Sequence, residues 1–278
     1  MLKARGMGVL KLRYSMAICW VVFFAIGVMA SNAFGAAPVV SAGGTLEYTE
    51  GDGAVAIDTG ITVTDGDSTN LEGATVTVSG GYQSGEDVLG FVDGGGISGS
   101  FNAGIGVLTL TGTAAVSAYQ SALRSVTYSN TSEDPTTGAR TIRFVVNDGD
   151  DSSDPDTSTI TVSAENDAPE ITGQANPLST PEETALTITL GDLAVTDPDN
   201  TYPDDFTLTV IDGPHYSVTG TTITPGNNYV GTLTVPVKVN DGEDDSNTYN
   251  LSVTVTAEND APEITGQANP LSTPEETP

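Results

Sequence analysis

Hydrophobic residues alternate with polar ones in short runs along most of the chain. The runs fall at 74–79, 107–110, 141–146, 157–163, 206–211, 232–239 and 249–256. A period of two predicts strands with one face buried and one wet, and the abundance of Thr, Val and Ile within the runs agrees. Gly, Asn and Asp separate them as turns. Pro236 interrupts the run 232–239 and has no N–H to donate, so an edge strand or a bulge is expected there. One segment, 113–125, departs from the period. Its Ala115, Val116, Tyr119, Ala122 and Leu123 share one side of a short helix, with Thr113 as the expected N-cap. Many short strands spaced by turns predict an all-β chain built from Greek-key sandwiches.

The first 36 residues differ in kind. Lys3, Arg5, Lys11 and Arg13 precede an apolar run at 16–30, followed by small residues at 31–36. This is the layout of a secretory signal peptide, with cleavage after Ala33 or Gly35. The alternative is a retained anchor, but the run is shorter than the roughly 20 residues of a membrane span. Ile18 before Cys19 is a poor match to a lipid-attachment box. Cleavage leaves four basic residues against 37 acidic ones, a net charge of −33, and removes the only Cys and the only Trp. Such a chain repels nucleic acid and anionic membrane surfaces, so neither is expected as a partner. An exported chain without disulfides needs another source of rigidity, and bound metal is one.

Residues 164–184 recur without a mismatch at 257–277, 93 residues on. A period of that size implies an array of similar modules. The expected organisation is a first module at 37–165, a second at 166–258, and the start of a third at 259–278. The chain is therefore expected to be a piece of a longer repetitive protein. Val63-Thr-Asp-Gly-Asp67 aligns with Val195-Thr-Asp-Pro-Asp199, and Val146-Asn-Asp-Gly-Asp150 with Val239-Asn-Asp-Gly-Glu243. The first module carries about 39 extra residues between these landmarks.

The acids gather at recurring places: a Glu near the start of each module, an Asp-x-Asp, an Asn-Asp-Gly turn, and a Glu-Asn-Asp-Ala-Pro joint. Each alone is an ordinary solvated turn. Recurring in the same order, they supply the carboxylate, amide and carbonyl oxygens that a hard cation such as Ca²⁺ takes in sixes to eights.

The stretch from Asn147-Asp-Gly through Thr159-Ile-Thr-Val-Ser-Ala-Glu-Asn-Asp-Ala-Pro169, repeated at 240–262, resembles the end of a cadherin repeat and its calcium linker. The second module resembles the cadherin-like tandem repeats of large bacterial surface adhesins. The first resembles the longer chondroitin-sulfate-proteoglycan-type repeat, chiefly over 108–146, with Leu123-Arg-Ser-Val-Thr-Tyr128 its most typical stretch. The resemblance implies that Glu50 reaches the joint from the first module. It makes Asn166 and Asp167 linker ligands, joined by Asp197, Asp199 and Asp241 of the second. Glu182, Asn259 and Asp260 begin the next site, while Asp65, Asp67 and Asp148 form a partial site at the N-terminal end. Three departures reduce the expectation to one or two ions per joint. The linker is a residue short, Ala164 stands where an Asp is expected (Glu165 is its neighbour), and no Leu-Asp-Arg-Glu motif is present. Extracellular modules of this kind hold calcium at about 10⁻⁴–10⁻³ M.

An enzyme is not expected. The lone His215 lies in a turn, the glycines at 94–96 lack a following Lys, and no carboxylate pair stands apart from the many. The expected role is the calcium-binding repeat region of an exported adhesin at the cell surface, meeting a protein or glycan ligand or another copy of itself. The alternative is a passive spacer or an accessory module, including a carbohydrate-binding one, of a larger secreted enzyme. For that alternative Tyr82, Tyr202 and Tyr229 are the surface aromatics to consider, and the phenylalanines are expected in the core.

Overall fold

The structure is a computed structural model that describes residues 35–266 and Glu275. The expected signal segment at 1–36, apart from its last two residues, and most of the expected third module lie outside the described residues.

The alternating runs become strands around two separate apolar cores. In the first module a six-stranded sheet has the spatial order Thr45–Thr49, Asp156–Ser163, Gly138–Asn147, Asn70–Gly80, Val107–Ala115, Ser98–Asn102. A three-stranded sheet, Val55–Ala56, Thr127–Asn130 and Asp87–Gly90, faces the same core, and Val39–Ser41 pairs with Thr62–Thr64. Along Asp156–Ser163 the inward positions Ser158, Ile160 and Val162 are buried while Thr157, Thr159 and Thr161 are exposed, as a period of two requires. Tyr48, Leu71, Val76, Leu110, Tyr128 and Phe144 fill the space between the layers.

The second module repeats this plan with fewer parts. Its four-stranded sheet runs Leu178–Pro181, Tyr249–Thr256, Gly231–Asn240, Thr207–Val210. Leu186–Thr187, Thr222–Pro225 and Tyr216–Thr219 form the opposite layer, and Glu170–Gln174 pairs with Leu193–Thr196. The extra residues of the first module supply the hairpin that widens its sheet to six strands and the helix Val116–Ser125.

One pairing in each module is parallel, and it positions the joint. Thr45–Thr49 runs beside Asp156–Ser163 with Thr49 opposite Ser163, so Glu50 emerges where the last strand leaves the module. Leu178–Pro181 runs beside Tyr249–Thr256 with Pro181 opposite Thr256, which carries Glu182 to the same place one module on.

Three expectations need correction. The helix begins later than 113: Thr113 lies within the strand Val107–Ala115, and the N-cap is Ala115, which has no capping side chain. Tyr119, Ala122 and Leu123 do face the core, but Ala115 is exposed because it sits at the strand-to-helix turn. Pro236 lies in neither an edge strand nor a bulge, because Gly231–Asn240 has a strand on each side. The ladder to Thr207–Val210 ends at the pair Val210 and Val237, so no partner waits for the missing N–H, and the Pro236 carbonyl accepts from the Ile211 amide at 2.9 Å. Finally, Tyr82, Tyr202 and Tyr229 pack part-buried against the two cores instead of forming a surface platform. Phe144 and Phe206 are core residues as expected, and Phe91 and Phe101 pack at its edge.

Candidate metal centre

Asp-x-Asp and Asn-Asp-Gly fold locally into turns in which one carboxylate oxygen ties down two backbone amides, as short acidic side chains commonly do. Asp65 Oδ1 accepts from the amides of Asp67 and Ser68 at 3.0 and 2.9 Å, and Asp197 Oδ1 from those of Asp199 and Asn200 at 2.9 and 2.8 Å. Asp148 Oδ1 and Asp241 Oδ1 do the same for the amides two and three residues ahead. Each turn uses one oxygen and fixes the direction of the other.

The joint between the modules is built on these turns. Glu50 Oε1 accepts from the Glu165 amide at 2.8 Å, and Asp199 Oδ2 from the Asp167 amide at 2.7 Å. Asn166 Nδ2 donates to Asp241 Oδ2 at 3.0 Å and Asp244 Oδ2 at 3.3 Å, while its Oδ1 accepts from Asn200 Nδ2 at 3.3 Å. The linker is thus gripped by one side chain of the first module and several of the second. These contacts connect Glu50, Asn166, Asp167, Asp199 and Asp241 at the linker, and Asp197 holds the turn that carries Asp199. Sequence reading passed over Asn200 and Asp244, which follow the recognised acids by one and three residues, and Glu133, which no counterpart in the second module marks.

Burial pushes the Glu50 carboxyl above its ordinary value. The Glu165 amide opposes this, and the charges of Asp199, Asp167 and Glu133 add to it. Asp241 shifts the other way: burial would raise it, but the amides of Asp244 and Glu243 and the Asn166 side chain outweigh that and lower it. The Ser68 and Asp67 amides likewise hold Asp65 low.

The same scaffold appears at both ends of the described chain. At the N-terminal end Ala36 donates to Asp67 Oδ2 at 3.0 Å, as Asp167 does to Asp199. Gly35-Ala36 therefore stands where Asn166-Asp167 stand, and neither of these two residues has a polar side chain to offer the cluster. Carboxylate oxygens of Asp65, Asp67 and Asp148 nevertheless converge, all within 4.8 Å of one another. At the far end Glu182 Oε1 accepts from the Glu258 amide at 3.1 Å, repeating the Glu50 contact. Asn259 and Asp260 are exposed there, and the Asn259 side chain donates to the Asp260 carbonyl.

Among the described residues, four buried side-chain oxygens have no hydrogen-bond partner: Glu50 Oε2, Asp65 Oδ2, Glu182 Oε2 and Asp197 Oδ2. A buried carboxylate oxygen without a partner is costly. All four belong to the three acidic sites, each site contributing at least one. Open oxygen donors of this type fit a hard divalent cation, and among the described residues three carboxylates converge within 4.8 Å at the N-terminal site alone. The Asn166 amide also fits, because turning it over replaces a donor N–H with an acceptor oxygen.

Residues 166–254 match the bacterial Ig domain family. That match covers the second of the two β-sandwich modules of the described chain. Halomucin from Haloquadratum walsbyi is 36% identical over 110 residues; that match takes in 38% of this chain and 1% of halomucin. Solved cadherin repeats are among the structures that this chain resembles in part. Mouse cadherin-23 EC22–24 aligns at 19% identity and a TM-score of 0.39, covering 80% of this chain and 65% of that one. Protocadherin gamma B7 extracellular domains 1–4 align at 16% identity and 0.37, covering 81% and 52%. The chain thus spans less than two thirds of these relatives. No helix among its described residues is long and apolar enough to cross a membrane.

Proposed function

We propose that this chain is the calcium-binding repeat region of an exported bacterial adhesin, its modules held in line by cations at their joints. The observation that carries the reading is the placement of the four partnerless buried carboxylate oxygens, all at the acidic sites and two of them at the joint. Ca²⁺ bound there supplies the positive charge and the six to eight coordination positions that such oxygens fill.

The chain's own residues do the rest. The turn amides hold the carboxylates of Asp197 and Asp241 in fixed directions. Glu50 and Asp199 pin the linker backbone from opposite sides. Without compensation Glu50, Asp167, Asp197, Asp199 and Asp241 repel one another across the hinge and weaken the alignment of the modules. Once neutralised, the same residues become a clamp. Adhesion follows from presenting aligned modules, to a protein or glycan on a surface or to a second copy of the chain.

The test is thermal unfolding of the chain in calcium, in magnesium and in chelator. Calcium at ten times Kd adds about 1.4 kcal/mol per site, several degrees for modules of this size. The expected result is a calcium-selective rise that is reduced when Asp197 and Asp199 are both replaced by Asn. An equal rise with magnesium, or none, would return the acidic clusters to surface charge. Calcium-dependent aggregation of beads coated with the chain separates an adhesin from a spacer.

A further inference from the structure

Beyond the expected signal segment the chain has four basic residues, and three of them are committed within the fold. Arg140 is buried against Asp87 at 3.1 Å, Lys238 pairs with Asp245 at 3.5 Å, and Arg124 Nε donates to the Ile61 carbonyl at 2.6 Å. Arg143 is different: it is exposed, and among the described residues its side chain forms no ion pair.

Arg143 lies on the outer face of the six-stranded sheet, between Thr77 and Thr157 in register. The outward positions around it are hydroxyls, Thr157 and Thr159 on one side and Thr75, Thr77, Thr109 and Thr111 on the other. In a chain with 37 acids, none of these positions carries a carboxylate. Glu47, on the edge strand, and Glu72, at the bulge beside Gly149, stand at the margins of the face. Two residues along the strand from Arg143, Val145 adjoins Thr75, and Thr75 adjoins Thr109. Gly73, between Asn147 and Thr111 in register, forms part of a hollow of about 220 Å³ that Thr75, Thr109, Thr111 and Val145 also line.

This arrangement belongs to the first module alone. Thr109 and Thr111 lie on the hairpin that widens its sheet, and the second module has no such hairpin. Counting 93 residues on, Pro236 stands in the place of Arg143, and Lys238, already paired, in the place of Val145.

Rows of hydroxyls match the hydroxyls of a sugar ring, and Val145 offers an apolar contact to its C–H face. A planar guanidinium takes a carboxylate through two parallel N–H···O bonds. Charge selects the place, because a carboxylate is repelled over most of so acidic a chain and attracted here. The strands from Asp156–Ser163 across to Ser98–Asn102 span about 19 Å at ~4.8 Å spacing. The screening length in ~0.1 M salt is about 10 Å, so the marginal acids act weakly at the centre.

We propose that this face of the first module binds an acidic polysaccharide, one bearing carboxylates on uronic acid units. Arg143 takes the carboxylate and the hollow at Gly73 seats a neighbouring ring. The inference rests on the adhesion reading of the proposed function, to which it gives a partner and a face, and it is independent of calcium at the joints.

The test is an NMR titration of the chain with trigalacturonic acid in ~0.1 M salt and chelator, beside the same trisaccharide with its carboxyls reduced to alcohols. Amide shifts are expected in Asn70–Gly80, Val107–Ala115 and Gly138–Asn147. R143Q should weaken binding at least about tenfold without changing thermal unfolding, because it removes an exposed, unpaired side chain. G73S should weaken it with Arg143 in place; a Cβ at Gly73 meets only the Leu110 carbonyl oxygen, at 3.4 Å, so the substitution fits the strand. K238Q should titrate like the unaltered chain, and the reduced trisaccharide should bind the unaltered chain no better than the acid binds R143Q. If R143Q titrates like K238Q, or the reduced sugar binds as tightly as the acid, the proposal is overturned. Uptake seen only in calcium and unaffected by R143Q would assign the sugar to cations at the acidic sites, overturning the proposal and leaving the calcium reading standing. No uptake in either condition overturns it too, while the calcium-selective rise in unfolding temperature decides the calcium reading separately.

Discussion

Asp58 is a carboxylate with four protein donors and no place in the proposed cation sites. It accepts from the amides of Gly43, Gly44 and Gly60 and from the Ser158 hydroxyl, at 3.2, 2.8, 2.8 and 2.7 Å. Burial alone would raise its carboxyl, but these donors, Ser158 first, together bring it below 3.8. A carboxyl lowered in the folded state stabilises above its unfolded value and loses that contribution as pH falls through the folded one. Asp58→Asn should therefore cost about 1–2 kcal/mol at neutral pH, with the difference shrinking below pH 3.8; urea unfolding at two pH values checks this. Glu50 and Asp197 are the opposite case: one oxygen is committed to backbone amides, one for Glu50 and two for Asp197, and the other is left open. This contrast separates carboxylates whose oxygens are all used by the fold from those with an oxygen left for the proposed cation. Both kinds look alike in the sequence, where Asp58 is one acid among 37. So does the buried pair of Arg140 and Asp87, 3.1 Å apart beneath Tyr128, which no local pattern announces because its partners are 53 residues apart.

At the scale of elements, the runs at 141–146, 157–163, 232–239 and 249–256 were legible because a half-buried strand must alternate, and those strands do. The helix was legible as an element but its start was not. Thr113 is a good cap by type, yet pairing of its strand with Asn70–Gly80 continues through Ala115 and leaves the cap to an alanine. Position 115 is therefore an uncapped N-terminus, and Ala115→Ser should stabilise the first module by about 0.5–1 kcal/mol, read as a higher midpoint in urea with an unchanged slope. Pro236 teaches a similar lesson. Its missing donor matters only where a neighbour would accept, and whether the adjacent strand extends that far is a property of the sheet.

At the scale of the molecule, the two cores are separate, and a linker held by Glu50 on one side and Asp199 and Asp241 on the other runs between them. With separate cores and an acidic joint, the alignment of the modules should depend on neutralising that joint. Small-angle scattering of the chain in chelator is expected to show a broader distribution of distances between modules than in calcium; identical curves would mean that the hydrogen bonds of the linker suffice. The sequence by itself determined the all-β class, because period-two alternation admits little else. It also determined the repeat, because an identity over 21 residues needs no structure to be seen. The residues of the joint were recoverable for the same reason: local turns hold each cluster, so spacing along the chain carried over into space. Only the tertiary structure decided which oxygens remain open, since that depends on what a distant strand or loop has already paired. It alone brought Glu133 into one cleft with Asp167, 34 positions further along the chain, where no local motif links them.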